Sequence, residues 1–255
     1  MLGAIAGDII GSVYEGRPIN TTDFPLFQAG SRFTDDTVLT LAIAQAILEG
    51  EEYGIALKTF GRKYPRAGYG FHFKQWIFEE EIRPYNSWGN GSAMRVSPVG
   101  FAFDDQEEVL EEARKTAEVS HNHPEGIKGA QATALAVFLA RQGERKGTIR
   151  EEISDRFGYD LDRTIAEIRP AYTFDVSCQG SVPEAVIAFL DSKDYEDAVR
   201  LAVSLGGDSD TQACIAGGIA HAFYGAIPDP ILRNTRERLT PHLLQVLDRF
   251  ERVFP

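Results

Sequence analysis

Two short acidic runs are the residues of this chain best suited to chemistry. Thr34-Asp35-Asp36-Thr37 opens one apolar stretch, and Gly206-Gly207-Asp208-Ser209-Asp210-Thr211 opens another. Read alone, each is explained as a helix cap with a favourable dipole interaction of about 0.3–1 kcal/mol. Read together they have the same make-up: carboxylates flanked by threonine hydroxyls, in front of a segment apolar enough to be buried. Acids at the edge of a core are costly without a counter-charge. Four carboxylates with two or three hydroxyls form a hard oxygen donor set, which suits magnesium or manganese, and two ions about 3.5–4 Å apart are accommodated by that many carboxylates. The two cysteines, Cys178 and Cys214, have no CxxC spacing or histidine pairing that would favour zinc.

Other residues are weaker signals. Gly89-Asn90-Gly91-Ser92 runs into a helical pattern, so its free amides could receive a phosphate, although by itself it is explained more simply as a tight turn. Arg95 follows one turn later and suits either a phosphate or an acid. His121 and His123 are candidates for substrate contact or for helix capping. Glu15 sits in a long irregular stretch and by itself reads as a solvated acid.

The elements that must position these groups are helical. Residues 1–13 read as a helix with Gly3, Gly7 and Gly11 at four-residue spacing, which invites close approach of another helix. Residues 14–33 form a long loop of the kind that often covers a site. Residues 35–48 are apolar on nearly every side, as expected of a central helix. Helices are expected over 51–62, 71–81, from the Gly89 turn toward Phe103, over 104–119, 126–141, 150–157, 183–191, 194–204, 212–224 and 241–253. Pro183 is expected at a first turn. Residues 142–150 read as a solvated connection, and Tyr172–Ser177 is the candidate for a strand. No repeat, linker or low-complexity run divides the chain, so one all-α domain over 1–255 is expected.

Composition narrows the function classes. Apolar residues make up 43% and charged residues 25%, as in ordinary globular proteins, and the net charge of −12 disfavours nucleic acid and anionic membranes. The apolar N-terminus lacks a basic region and carries an early acid, and no window approaches the roughly 18 apolar residues of a membrane span. A cytoplasmic protein, favoured as a monomer, is expected.

Taken in order, Gly3-Ala4-Ile5-Ala6-Gly7-Asp8 with Glu15, Phe33-Thr34-Asp35-Asp36-Thr37, Gly89-Asn90-Gly91-Ser92-Ala93-Met94-Arg95, Ser120-His121 and Gly206-Gly207-Asp208-Ser209-Asp210-Thr211 resemble the ADP-ribosylglycohydrolases along nearly the whole chain. The resemblance implies an orthogonal all-α bundle with a two-metal centre, Mg²⁺ or Mn²⁺, held by Thr34, Asp35, Asp36, Asp208, Asp210 and Thr211. It places substrate contacts on Gly89, Asn90, Gly91, Ser92, Met94, His121 and His123, and the acid–base group on Glu15 or a metal-site aspartate, Asp35 or Asp210. Asp8 matches a family acid without an assigned role. The implied reaction is hydrolysis at C1″ of ADP-ribose on a protein or small-molecule acceptor, with arginine the leading acceptor. The alternatives are a non-catalytic ADP-ribose-binding or structural relative, and a metal-dependent phosphohydrolase of an ADP-ribose-like nucleotide.

Overall fold

The computed structural model describes residues 1–255 and contains fifteen α-helices. They are α1 (Leu2–Gly11), α2 (Asp35–Glu49), α3 (Tyr53–Lys63), α4 (Phe71–Trp76), α5 (Gly91–Met94), α6 (Ser97–Ala102), α7 (Gln106–Glu118) and α8 (Pro124–Arg141), followed by α9 (Lys146–Phe157), α10 (Ile165–Ile168), α11 (Cys178–Asp191), α12 (Tyr195–Val203), α13 (Ser209–Tyr224), α14 (Asp229–Glu237) and α15 (Pro241–Val253).

The glycine ladder of α1 sets the central packing. A Cβ on Gly3 would stand 2.4 Å from the Gly217 carbonyl oxygen, one on Gly7 2.0 Å from that of Ala213, and one on Gly11 2.4 Å from that of Ser209. The four-residue spacing thus lets α1 lie backbone to backbone on α13. This close approach holds Asp8 of α1 beside the first turn of α13. Gly7→Ala is therefore predicted to force the two helices apart and to cost about 1–3 kcal/mol, with the midpoint of urea unfolding as the measurement; an unchanged midpoint would contradict it.

Around this pair, α2, α8 and α11 are buried along most of their length, and all contribute to one apolar cluster of 71 residues. The first turns of α2 and α13 and the short α5 come together on one side of that cluster.

Several local expectations are corrected. Tyr172–Ser177 forms no strand. It makes only an isolated antiparallel bridge, Gly89 with Ser177, in which the Asn90 amide donates to the Val176 carbonyl at 2.8 Å and the Cys178 amide to the Trp88 carbonyl at 3.0 Å. The extended segment is braced against the glycine turn and ends as the cap of α11, whose Ser177 Oγ accepts from the Gly180 amide. That helix starts at Cys178, so Pro183 lies inside it and not at its first turn.

The helix expected over 71–81 stops at Trp76. Lys58 Nζ donates to the carbonyls of Trp76, Glu79 and Glu81 at 2.6, 2.8 and 2.9 Å, and the Arg62 guanidinium donates to those of Ile77 and Glu79. Two cations thus satisfy carbonyls that a longer helix would have satisfied. The stretch from Gly89 to Phe103 is broken at Arg95–Val96 into α5 and α6, and residues 146–150 belong to α9, not to a connection. No helix is long and apolar enough to cross a membrane.

Candidate active site

The turn before α13 is built from two glycines at crowded positions. Gly206 has φ +74°, and a Cβ there would stand 2.7 Å from Asn20 Oδ1; one on Gly207 would stand 2.4 Å from the Tyr172 ring. The turn delivers Asp208, Asp210 and Thr211 to the core edge, all buried. Asp208 occupies the cap position of α13 but makes no side-chain capping bond. Its Oδ2 instead accepts from Asn90 Nδ2 at 2.7 Å, and the same amide donates to Ser181 Oγ at 3.1 Å.

The second cluster is anchored from α1. Asp8 Oδ2 accepts from the amides of Thr34 (3.0 Å) and Thr37 (3.1 Å) and from the Thr37 hydroxyl, while Oδ1 accepts from Thr34 Oγ1 at 2.7 Å. Thr34 caps α2 by accepting from the Asp36 amide at 3.3 Å. Capping is thus the work of threonine here, and the Asp36 carboxylate meets only the Thr34 hydroxyl, through Oδ2 at 3.3 Å. A Cβ on Gly68, at a strained φ of +124°, would stand 2.9 Å from Asp35 Oδ1, so the glycine leaves room for that carboxylate.

The two clusters converge. One carboxylate oxygen each from Asp8, Asp36 and Asp210 lie within 4.8 Å of one another, as do oxygens of Glu15, Asp208 and Asp210. No lysine or arginine pairs with any of them, and buried Asp36 Oδ1 has no hydrogen-bond partner at all. Burial, followed by repulsion from neighbouring carboxylates, raises Asp36 and Asp210 well above the usual carboxylate range and lifts Asp35 to about 8. Asp208 is also raised by burial, and burial lifts Asp8 to about 6 against its four donors. An all-oxygen donor set of uncompensated carboxylates fits hard divalent cations.

These directions fix a pH dependence. A folded pKa above the unfolded value gives stability that is complete below the unfolded range, about 4 for Asp, and is lost as pH rises through the folded pKa. Without divalent cations the protein should therefore lose stability from about pH 4 upward, through 6 for Asp8 and 8 for Asp35. Thermal unfolding in EDTA and in MgCl₂ at pH 5 and pH 8 checks this. The Mg²⁺ increment should be larger at pH 8, where protons compete less; equal increments would count against it.

Above the acids lies a cavity of about 510 Å³. Thr34, Asp35, Asp36, Asp208, Asp210 and Thr211 line it together with Glu15 and Arg32. Gly89, Asn90, Gly91, Met94, Arg95 and His121 also line it, as do Phe71, Tyr85, Trp88 and Val176. A sequence profile of the ADP-ribosylglycohydrolases matches residues 1–255.

The chain belongs to the ADP-ribosylglycohydrolase family.

It is similar to the ADP-ribosylhydrolase ARH3 of Gallus gallus, at 28% identity over 88% of this chain and 84% of that protein. It is equally similar to ARH3 of Homo sapiens, at 28% over the same shares, and less so to the ADP-ribosylarginine hydrolase Tri1 of Pseudomonas putida, at 24% over 88% of this chain and 69% of that protein. A solved ADP-ribosylglycohydrolase-related protein complex superposes with a TM-score of 0.73 at 26% identity, covering 98% of this chain and 96% of the other. The protein is a glycohydrolase, and the family acts on ADP-ribosylated substrates.

Within the glycohydrolase cavity the residues singled out by sequence divide. Glu15, the six acids and threonines, Gly89, Asn90, Gly91, Met94 and His121 all line it. Ser92 does not: it is fully buried behind the loop and donates to the Gly126 carbonyl at 2.7 Å. Neither does His123, whose Nδ1 accepts from the Glu125 amide at 3.1 Å and caps α8. Within the glycine loop, the Asn90 amide is taken by Val176 and the Gly89 amide by Ser87 Oγ, which leaves the first-turn amides of Gly91 and Ser92 without an intrahelical partner. Arg32 and the anchoring bonds of Asp8 were not evident in the sequence. An acid alone among Gly, Ala and Ile was the available signal for Asp8.

Proposed function

We propose that the protein, acting as one domain over residues 1–255, hydrolyses the C1″ glycosidic bond of ADP-ribose attached to an acceptor and releases free ADP-ribose. The observation that carries this is the convergence of two buried carboxylate sets, at the starts of α2 and α13, with no protein cation among them. Thr34, Asp35, Asp36, Asp208, Asp210 and Thr211 would hold two divalent cations, Mg²⁺ or Mn²⁺. When bound, these supply Lewis acidity and a template for the ribose diol.

The chain's own groups do the rest. Gly91 and its neighbours leave room and free amides for a diphosphate, and Met94 and His121 line the same cavity. Bond cleavage passes through an oxocarbenium-like state, so one carboxyl must move a proton at the reacting water or leaving atom. Glu15 is suited to that task. Its carboxylate lies with those of Asp208 and Asp210, and desolvation followed by repulsion from Asp208 raises its pKa, while Arg32 pulls it down. Asp35 and Asp210 are the other candidates for this group.

Beyond the metal set, Glu15 is the only carboxylate lining the cavity, and Arg32 lies close enough to lower its pKa. A guanidinium acceptor would meet both charges, so this pair does not separate arginine from an oxygen-linked acceptor. The name of the Pseudomonas putida relative favours arginine. ADP-ribosyl-serine and ADP-ribosyl-arginine peptides, each assayed with Mg²⁺ and with EDTA, decide between them. Release of ADP-ribose supports the glycohydrolase reading; AMP as product would establish phosphohydrolysis instead, and binding without turnover would establish a non-catalytic relative.

A further inference from the structure

We infer that Arg95 and Ser120 are positioning residues that hold His121 as the neutral ring with its proton on Nε2, a permanent N–H donor facing the glycine loop of the cavity. Arg95 is fully buried and has no carboxylate partner. Its Nη2 donates to the Thr116 carbonyl at 2.7 Å and to Ser120 Oγ at 2.9 Å. A guanidinium has donors only, so the Ser120 oxygen must be the acceptor in that contact. The one other side-chain partner of Ser120 Oγ is His121 Nδ1 at 2.8 Å. Ser120 is itself fully buried, so its hydroxyl proton has a single acceptor available, and that acceptor is Nδ1. A proton on Nδ1 would set two N–H groups against one oxygen and leave the hydroxyl proton unpaired in the interior, a cost of about 1–3 kcal/mol.

Nδ1 therefore accepts, and the ring proton is on Nε2. Burial and the adjacent Arg95 charge oppose a second proton on the ring. Nε2 faces the loop: a Cβ on Gly91 would stand 3.1 Å from it and one on Gly89 3.7 Å. The absence of side chains at those two positions is what leaves this N–H open to the cavity, where it meets an acceptor oxygen of a ligand. The tautomer follows from hydrogen bonding alone, whereas its use on an ADP-ribose oxygen rests on the function proposed above.

Nitrogen-15 NMR of the histidine rings at pH 7 tests the tautomer in the unmodified protein. The His121 signals are assigned among the five histidines by their loss in His121→Asn. The expected result is an unprotonated Nδ1 and a protonated Nε2. A protonated Nδ1, alone or with Nε2, would overturn the inference without recourse to any further variant. Ser120→Ala should abolish the exclusive Nε2–H form and weaken ADP-ribose binding, read by calorimetry, about tenfold, while Ser120→Thr should restore both. An unchanged tautomer in Ser120→Ala would also overturn it. If wild-type His121 is the Nε2–H form but ADP-ribose does not bind, the ligand reading fails and the positioning role of Arg95 and Ser120 stands.

Discussion

Asp208→Ala and Asp210→Ala are expected to lower turnover about a thousandfold or more, since the several kcal/mol supplied by bound cations are lost with their ligands. The structure adds a second expectation that separates metal ligation from simple helix capping. Asp208 makes no side-chain cap bond, and Asp210 is buried with its pKa raised by desolvation and by Asp36 and Asp208. In EDTA the Asp210→Ala protein should therefore be as stable as the parent or more so, because an uncompensated carboxylate has been removed from the interior. With Mg²⁺ the order should reverse, the parent gaining in thermal midpoint and the variant gaining little. A capping role would instead give a loss that ignores Mg²⁺. Undiminished turnover, or a full Mg²⁺ increment in either variant, would sink the assignment.

What the sequence disclosed was short-range. The acid–threonine runs and the glycines at 3, 7 and 11 each lie within a few residues, and their physical meaning, charge at a core edge and a helix face without side chains, can be read from that window. The contacts that lie outside any such window act across the chain. Asp8 reaches Thr34 and Thr37, and Asn90 reaches Asp208, which stands 118 residues away. A glycine-flanked asparagine reads as part of a phosphate loop, yet its side-chain amide is committed to an acid that only the fold brings near. Likewise Lys58 and Arg62 end α4 by capturing carbonyls from another helix, which no local helix signal encodes. His123 shows the converse: its sequence neighbour His121 faces the cavity, but a short-range cap to Glu125 turns His123 away.

Asp8→Asn should separate a ligand from the group that aims a ligand. A carboxylate offers about four lone-pair sites, and Asp8 already accepts bonds from two amides and two hydroxyls. Oδ2 takes three of these bonds and Oδ1 one, so the carboxylate is mostly committed to the Thr34 turn, although one of its oxygens lies within 4.8 Å of those of Asp36 and Asp210. Its role is to draw the Thr34 hydroxyl proton inward, which turns that oxygen's lone pairs toward the acids. An amide at this position places N–H donors against donors, so at least one of the four bonds is lost in either orientation. The expected result is a fall in Mg²⁺ affinity of about 10–100-fold and a stability loss of about 1.5–3 kcal/mol. Turnover should recover at high Mg²⁺, in contrast to Asp210→Ala, which no concentration should rescue. The measurement is the Mg²⁺ concentration for half-maximal activity, with Mg²⁺-dependent thermal shift as the second readout. An unchanged half-activation concentration would show that the Thr34 turn holds its shape without Asp8. Activity that stays absent at saturating Mg²⁺ would make Asp8 a ligand in its own right.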